Sequence, residues 1–231
     1  MPADWTRWAQ ALGVIGGTVL LHEVAHAVAA RRAGGDVREV AIGFGPPLAR
    51  GTIGGIAITL RPIPIGGFAA IDVERLSPAR RVPVLLAGPL ANIAAGLVLR
   101  RLSRVARPTV LPGQTQRVEV GGLLAALAML TRAASAGPRS LARTAGDVNL
   151  SVGLANLLPV LPLDGGHLVV AHLEASGATP RVVAAFRQIT AGLFFWFAAR
   201  VMVADLIRMW GTRGGTPAGS PAMTARRGAP R

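Results

Sequence analysis

Cysteine is absent from the 231 residues, and so is lysine, so that all 25 basic side chains are arginine. Without cysteine there is no disulfide framework, no cysteine nucleophile and no thiolate zinc site, and any bound metal must be held by His and carboxylate. Charged residues amount to 16% and aromatics to 4%. No basic run is interleaved with aromatics, which argues against nucleic acid despite a formal net charge of +14. The arginines cluster instead beside apolar runs, at Arg31, Arg32, Arg80, Arg81, Arg100, Arg101 and Arg104, where lipid headgroups are their natural partners.

What is abundant is apolar. A hydrophobic fraction of 51% and a mean hydropathy of +0.46 describe an integral membrane protein. The pattern predicts an all-α polytopic membrane protein of about four transmembrane helices, with a small membrane-associated β-hairpin or sheet after the first. The spans are expected at about 8–30, 82–99, 148–170 and 189–207, within one membrane core over residues 1–210. Trp5 and Trp8 anchor the first span at one interface, and Arg31 and Arg32 at the other. An apolar segment at about 121–136, short and interrupted by Arg132, reads as interfacial. The tail at 211–231, rich in Gly, Pro, Ser and Arg, reads as disordered.

The β region is expected at about 37–68. Val40, Ile42 and Phe44 alternate, Ile56, Ile58 and Leu60 alternate again, and glycines punctuate the stretch. The run Pro62-Ile63-Pro64-Ile65-Gly66-Gly67-Phe68 forbids helix and is expected to end the sheet. In the second span Pro89 should kink the helix, while Asn92 either lines a site or bonds a neighbouring helix, the commoner fate of a lone asparagine in lipid. In the third span Asn149, Asn156, Pro159, Pro162, Gly165 and Gly166 imply a discontinuous helix lining a cavity. Arg200 and Asp205, in the fourth, are expected to pair or snorkel.

One stretch of the first span carries ionisable groups where they are costly: His22-Glu23-Val24-Ala25-His26. On a helix this spacing sets two imidazoles one turn apart on one face with the carboxylate beside them, the geometry of a zinc site. With four histidines in the chain, chance would produce it in well under ~1% of such sequences. A cleaved signal peptide, suggested by Arg7 and by Ala27-Val28-Ala29, leaves the histidines unexplained. A catalytic zinc site needs a third protein ligand and an open position. Asp164, His167, His172 and Asp205 are the candidates. Asp164 stands out, because it follows Pro162-Leu163 and precedes Gly165-Gly166, where a broken helix can aim a carboxylate inward. At 1.5 Å per residue it lies roughly 24 Å into its span, against roughly 21 Å for His22. The two depths match if the first and third spans run parallel.

The ordered set of motifs resembles the site-2 proteases, intramembrane zinc metalloproteases, in their bacterial form. It comprises His22-Glu23-Val24-Ala25-His26 with Arg31-Arg32, Ile42-Gly43-Phe44-Gly45, Pro64-Ile65-Gly66-Gly67-Phe68, Ala87-Gly88-Pro89-Leu90-Ala91-Asn92, and Asn156 through His167. The resemblance implies that His22, His26 and Asp164 bind Zn2+, that Glu23 is the catalytic base, and that Asn156 contacts the substrate backbone. It also implies that the segment from Val40 to Phe68 guides the substrate, and that the zinc end faces the cytoplasm from a multi-pass position in the cell membrane. Larger bacterial relatives carry PDZ domains between the second and third spans, and the roughly 45 residues from Arg100 to Gly146 are too few for one.

On this reading zinc makes hydroxide available at neutral pH, and Glu23 accepts the proton and passes it to the leaving amine. The substrate is a transmembrane protein, an anti-sigma-factor-like regulator or a signal-peptide remnant. A strand between Ile53 and Leu60 is expected to hold its opened backbone. The competing reading is a non-catalytic zinc-binding scaffold or chaperone, which would need the ligands but not Glu23; a transporter would leave the motif spacing unexplained.

Overall fold

The structure, a computed structural model, describes residues 3–72, 75–104 and 122–211. Helix α1 (Ala3–Arg32) is followed by strands β1 (Val37–Phe44), β2 (Ala49–Ile53), β3 (Ile56–Leu60) and β4 (Ile63–Ile71). Helices α2 (Pro78–Arg104), α3 (Leu123–Ser135), α4 (Pro138–Asn156), α5 (Asp164–Ala175) and α6 (Pro180–Gly211) follow among the described residues. The tail expected to be disordered lies almost wholly outside the described residues, as does most of the connection between α2 and α3.

Helix α1 is 30 residues long, about 45 Å, enough to cross a bilayer with a turn to spare at each side. It stops at a glycine pair. Gly34 takes φ +85°, its N–H donates to the Arg31 carbonyl, and the Gly35 N–H donates to Ala30, which closes the last turn on a left-handed residue that only glycine adopts without cost. The chain then turns back over the helix. Val37, Val40 and Ile56 of the sheet pack on Ala27 and Ala30 of α1, with Leu76 and Val84 closing the cluster.

The sheet has four strands in the order β2-β3-β1-β4, with β1 and β3 parallel and the other two pairings antiparallel. The β2–β3 turn is Gly54-Gly55, both at positive φ, the backbone that a two-residue hairpin requires. Arg31 donates to both of their carbonyls and ties the hairpin to the end of α1. Two expectations are corrected here. The proline-containing run does not end the sheet: Ile63–Ile71 is β4, paired with β1 from Val37↔Ile71 to Phe44↔Ile63. An edge strand tolerates proline on its free side, and an irregularity between Ile42 and Phe44, with Gly66 at φ +81°, absorbs the extra residues. The segment expected to be exposed for strand addition is also internal, since β3 pairs with β2 on one side and with β1 on the other. The free edges are β2 and β4.

Among the described residues, three helices are long and apolar enough to cross a membrane, within α1, α2 and α6. The count of about four is therefore met at three, because the third expected span is divided: α4 ends at Asn156, α5 begins at Asp164, and residues 157–163 between them are not helical. The break is tight. A Cβ on Gly165 would stand 2.4 Å from the carbonyls of Leu157 and Leu158, and one on Gly166 2.5 Å from the Leu161 nitrogen, so the first turn of α5 lies directly on the segment that precedes it.

Helices α2 and α4 share the most extensive seam of the bundle. Gly96 meets Gly146 and Leu150, and Gly153 meets Pro89 and Ile93, each at a distance that excludes a Cβ, as small residues allow between helices in lipid. The short helix α3 buries Leu130 against Ala11 and Ile15 of α1. Most of α6 stands exposed and apolar, including Leu193, Phe195, Trp196 and Phe197. Its attachments include Asp205, 4% exposed, which accepts from the Gly122 and Ala125 amides at the start of α3. Arg200 lies over the Trp196 ring, 5.7 Å from its centre.

Candidate metal and catalytic centre

The helical period puts His22 and His26 on one face of α1, and that face is turned towards α2 and the start of α5. Their rings meet edge to face with centroids 4.7 Å apart. The Nε2 atoms are 3.1 Å from one another, and Asp164 Oδ2 lies 3.0 Å from that of His22 and 3.3 Å from that of His26. Three donor atoms thus form a nearly equilateral triangle. In a tetrahedral site with bonds of about 2.0–2.1 Å, ligand atoms stand about 3.3–3.4 Å apart, so the triangle is close to the base of such a site. Both histidines are buried, 7% and 6% exposed, which is where loss of water must be offset by a specific partner.

Each imidazole is held from behind. His26 Nδ1–H donates to the Val84 carbonyl at 2.7 Å, which fixes the tautomer and leaves the Nε2 lone pair for the centre of the triangle. Behind His22, the Asn92 side chain meets Nδ1 at 3.2 Å. Helix α2 reaches this close because Gly88 faces the ligands. A Cβ there would stand 2.3 Å from His26 Nε2 and 2.8 Å from His22 Nε2.

Glu23 lies beside the triangle and interacts electrostatically with all three of its members. Strand β4 passes over it: a Cβ on Gly67 would be 3.3 Å from Glu23 Cγ and 2.6 Å from Val19 Cγ1. The free edge of the sheet therefore runs next to the expected base. This arrangement has the chemical parts of a hydrolytic metal centre, with two imidazoles and one carboxylate placed where they could hold a metal and a second carboxylate beside them.

The structure brings together four of the five residues expected at the site. Among the described residues, His22, His26 and Asp164 form the one group of three or more His, Asp or Glu placed to hold a metal ion. His167 and His172 are on α5 outside that group, and Asp205 is on α6, where it accepts from amides at the start of α3. Asn156, the fifth, is the last residue of α4, and its amide donates to the Val152 carbonyl one turn back rather than to the triangle. Sequence reasoning did not single out Gly88 and Val84, and left Asn92 undecided. A Gly-Pro step one turn before an asparagine, inside an apolar span, was the available signal.

A family model described as peptidase family M50 matches residues 10–198. The chain belongs to peptidase family M50. Zinc metalloprotease Rip1 of Mycobacterium tuberculosis is 39% identical over 98 residues, which is 36% of this chain and 24% of Rip1. A protein of Neisseria meningitidis serogroup A, assigned by name to the zinc metalloproteases, is 32% identical over 183 residues, covering 69% of this M50 chain and 38% of the relative. The chain thus spans well under half the length of these curated relatives. Among solved structures, the site-2 protease from Methanocaldococcus jannaschii superposes over 85% of this chain and 67% of its own, with a TM-score of 0.48 at 21% identity.

Proposed function

We propose that this M50 chain is a zinc-dependent intramembrane endopeptidase, cleaving within or next to the transmembrane segments of membrane-tethered proteins. The observation that carries the reading is the buried triangle of His22, His26 and Asp164 with Glu23 at its side. The donor set fits zinc: two imidazoles and one carboxylate oxygen, at separations near those of a tetrahedral site, with Gly88 leaving room for nothing larger than hydrogen on the α2 side.

Zinc, when bound by these three residues, supplies the Lewis acid that makes water nucleophilic near neutral pH and withdraws charge from the scissile carbonyl. The chain supplies the rest. Glu23 takes the proton of the attacking water as oxygen bonds to the carbonyl carbon, and returns it to the amide nitrogen as the C–N bond breaks. Val84 and Asn92 hold the imidazoles in orientation. The free edge of β4, beside Glu23, suits an unwound substrate backbone, which must exchange its helical hydrogen bonds for others before it can be cut. Asn156 stands as a substrate contact at the end of α4. The site opens to the cytoplasmic side of the cell membrane, and the substrate class is a tethered regulator or a remnant signal peptide.

The test is zinc analysis of the purified protein, followed by cleavage of a transmembrane peptide by wild type and Glu23→Gln. Retained zinc with cleavage lost by at least 100-fold is expected. Equal cleavage by the two proteins overturns the assignment of the base, and a wild type that holds zinc but cuts nothing returns the chain to the scaffold reading.

A further inference from the structure

We infer that Asn92 is the positioning residue of His22, and that it serves this imidazole in two tautomers by turning its carboxamide over. The inference rests on the zinc reading above. Asn92 is completely buried on α2, and its side chain meets His22 Nδ1 at 3.2 Å. Where Nδ2 faces the ring the amide donates, which matches the His22 tautomer protonated on Nε2, the nitrogen 3.0 Å from Asp164 Oδ2. A metal on Nε2 excludes that pairing, because the nitrogen cannot carry a proton and a metal together. The same pairing also leaves the Asn92 Oδ1 atom buried with no partner, which folded proteins rarely tolerate.

Zinc on His22 Nε2 requires the other tautomer, with the proton on Nδ1. The same asparagine meets it if the carboxamide rotates by half a turn, so that Oδ1 accepts from Nδ1–H. The unpartnered oxygen then gains its bond, and the two amide atoms exchange places without any movement of the helix. His26 has no such choice, because a backbone carbonyl only accepts and holds Nδ1–H at all times. The other buried side-chain oxygen without a partner among the described residues is Asn149 Oδ1. Asn149 itself donates to Thr18 Oγ1 on α1 and to the Ala145 carbonyl. A carboxamide is the one side-chain group of this size that both donates and accepts in a plane, which separates its role from that of a generic buried polar residue.

The experiment measures zinc affinity of the full chain in detergent, by competition with a chromogenic chelator, for wild type, Asn92→Asp and Asn92→Leu. The carboxylate of Asn92→Asp accepts from Nδ1–H and should hold affinity within a few fold of wild type, whereas Asn92→Leu should bind about 10–100-fold more weakly. Cobalt substituted for zinc should give an altered visible spectrum in Asn92→Leu and an unaltered one in Asn92→Asp. Equal affinity and spectrum in Asn92→Leu and wild type overturn the inference, and so does equal loss in both variants, which would make the position one of packing only. Should Asn92→Leu fail to fold, Asn92→Ser against Asn92→Ala carries the same comparison. A wild type that binds no zinc overturns the zinc reading itself.

Discussion

Gly88 has no side chain, and the ligands leave space for none. A Cβ 2.3 Å from His26 Nε2 must displace either the imidazole or α2, so Gly88→Ala should weaken zinc binding by at least 10-fold and destabilise the fold by about 1–3 kcal/mol. Metal content and thermal unfolding check the two parts separately; unchanged zinc content would show that α2 retreats without disturbing the triangle. At this scale the sequence displayed what periodicity encodes. The spacing of His22 and His26 is a statement about one helix, whereas the depth counted for Asp164 assumed a continuous helix from Val148, and residues 157–163 are not helical. The backing of the ligands is different, because it depends on which azimuth α2 presents to α1. Nothing in the hydropathy of Ala87-Gly88-Pro89 fixes that azimuth, and so Gly88 and Val84 became visible only with the helices packed. The role expected of Asn156 came from resemblance, and its observed hydrogen bond is to its own helix.

Strand β4 was misread from sequence because proline and two glycines normally interrupt a ladder. On an edge, proline loses nothing that the neighbouring strand needs, and Gly67 is required where the strand crosses Val19 and Glu23. A chain free of cysteine allows a direct test of which edge receives substrate. Phe68→Cys in β4 and Ile53→Cys in β2 each introduce a single thiol, and a transmembrane peptide with one cysteine near its scissile bond should cross-link to the first and not the second. Preferential capture by Ile53→Cys would place docking on the β2 edge. The broken third span was foreseeable, since Pro159, Pro162 and the glycine pair cannot continue a helix; that each half would be a separate helix, leaving three candidate spans, was not. Asp205 shows the same limit: a carboxylate in an apolar helix signals a partner without naming it. Here it caps α3, and Asp205→Leu should lower stability by about 1 kcal/mol while leaving zinc content intact, as read from thermal unfolding and metal analysis.

On the proposed zinc reading, the triangle is a cross-link for the molecule as a whole. Its members come from the first helix and from α5, and α6 is the only described element that follows. A ligand that binds the folded state alone adds to stability, so chelation should lower the unfolding temperature of the wild type by several degrees and leave that of Asp164→Ala unchanged. A shift of equal size in both proteins would assign the stabilisation to a different metal site.

That cross-link also has a consequence in time. His22 and Asp164 are separated by 142 positions, so a chain made at about 5–20 residues per second has its HExxH helix finished roughly 7–30 s before its last ligand exists. During that interval α1 is already long enough to enter the bilayer, and no complete centre is available to cut anything beside it. On the proposed function, a growing chain next to newly inserted neighbours is therefore harmless to them until α5 has been made and folded back against α1.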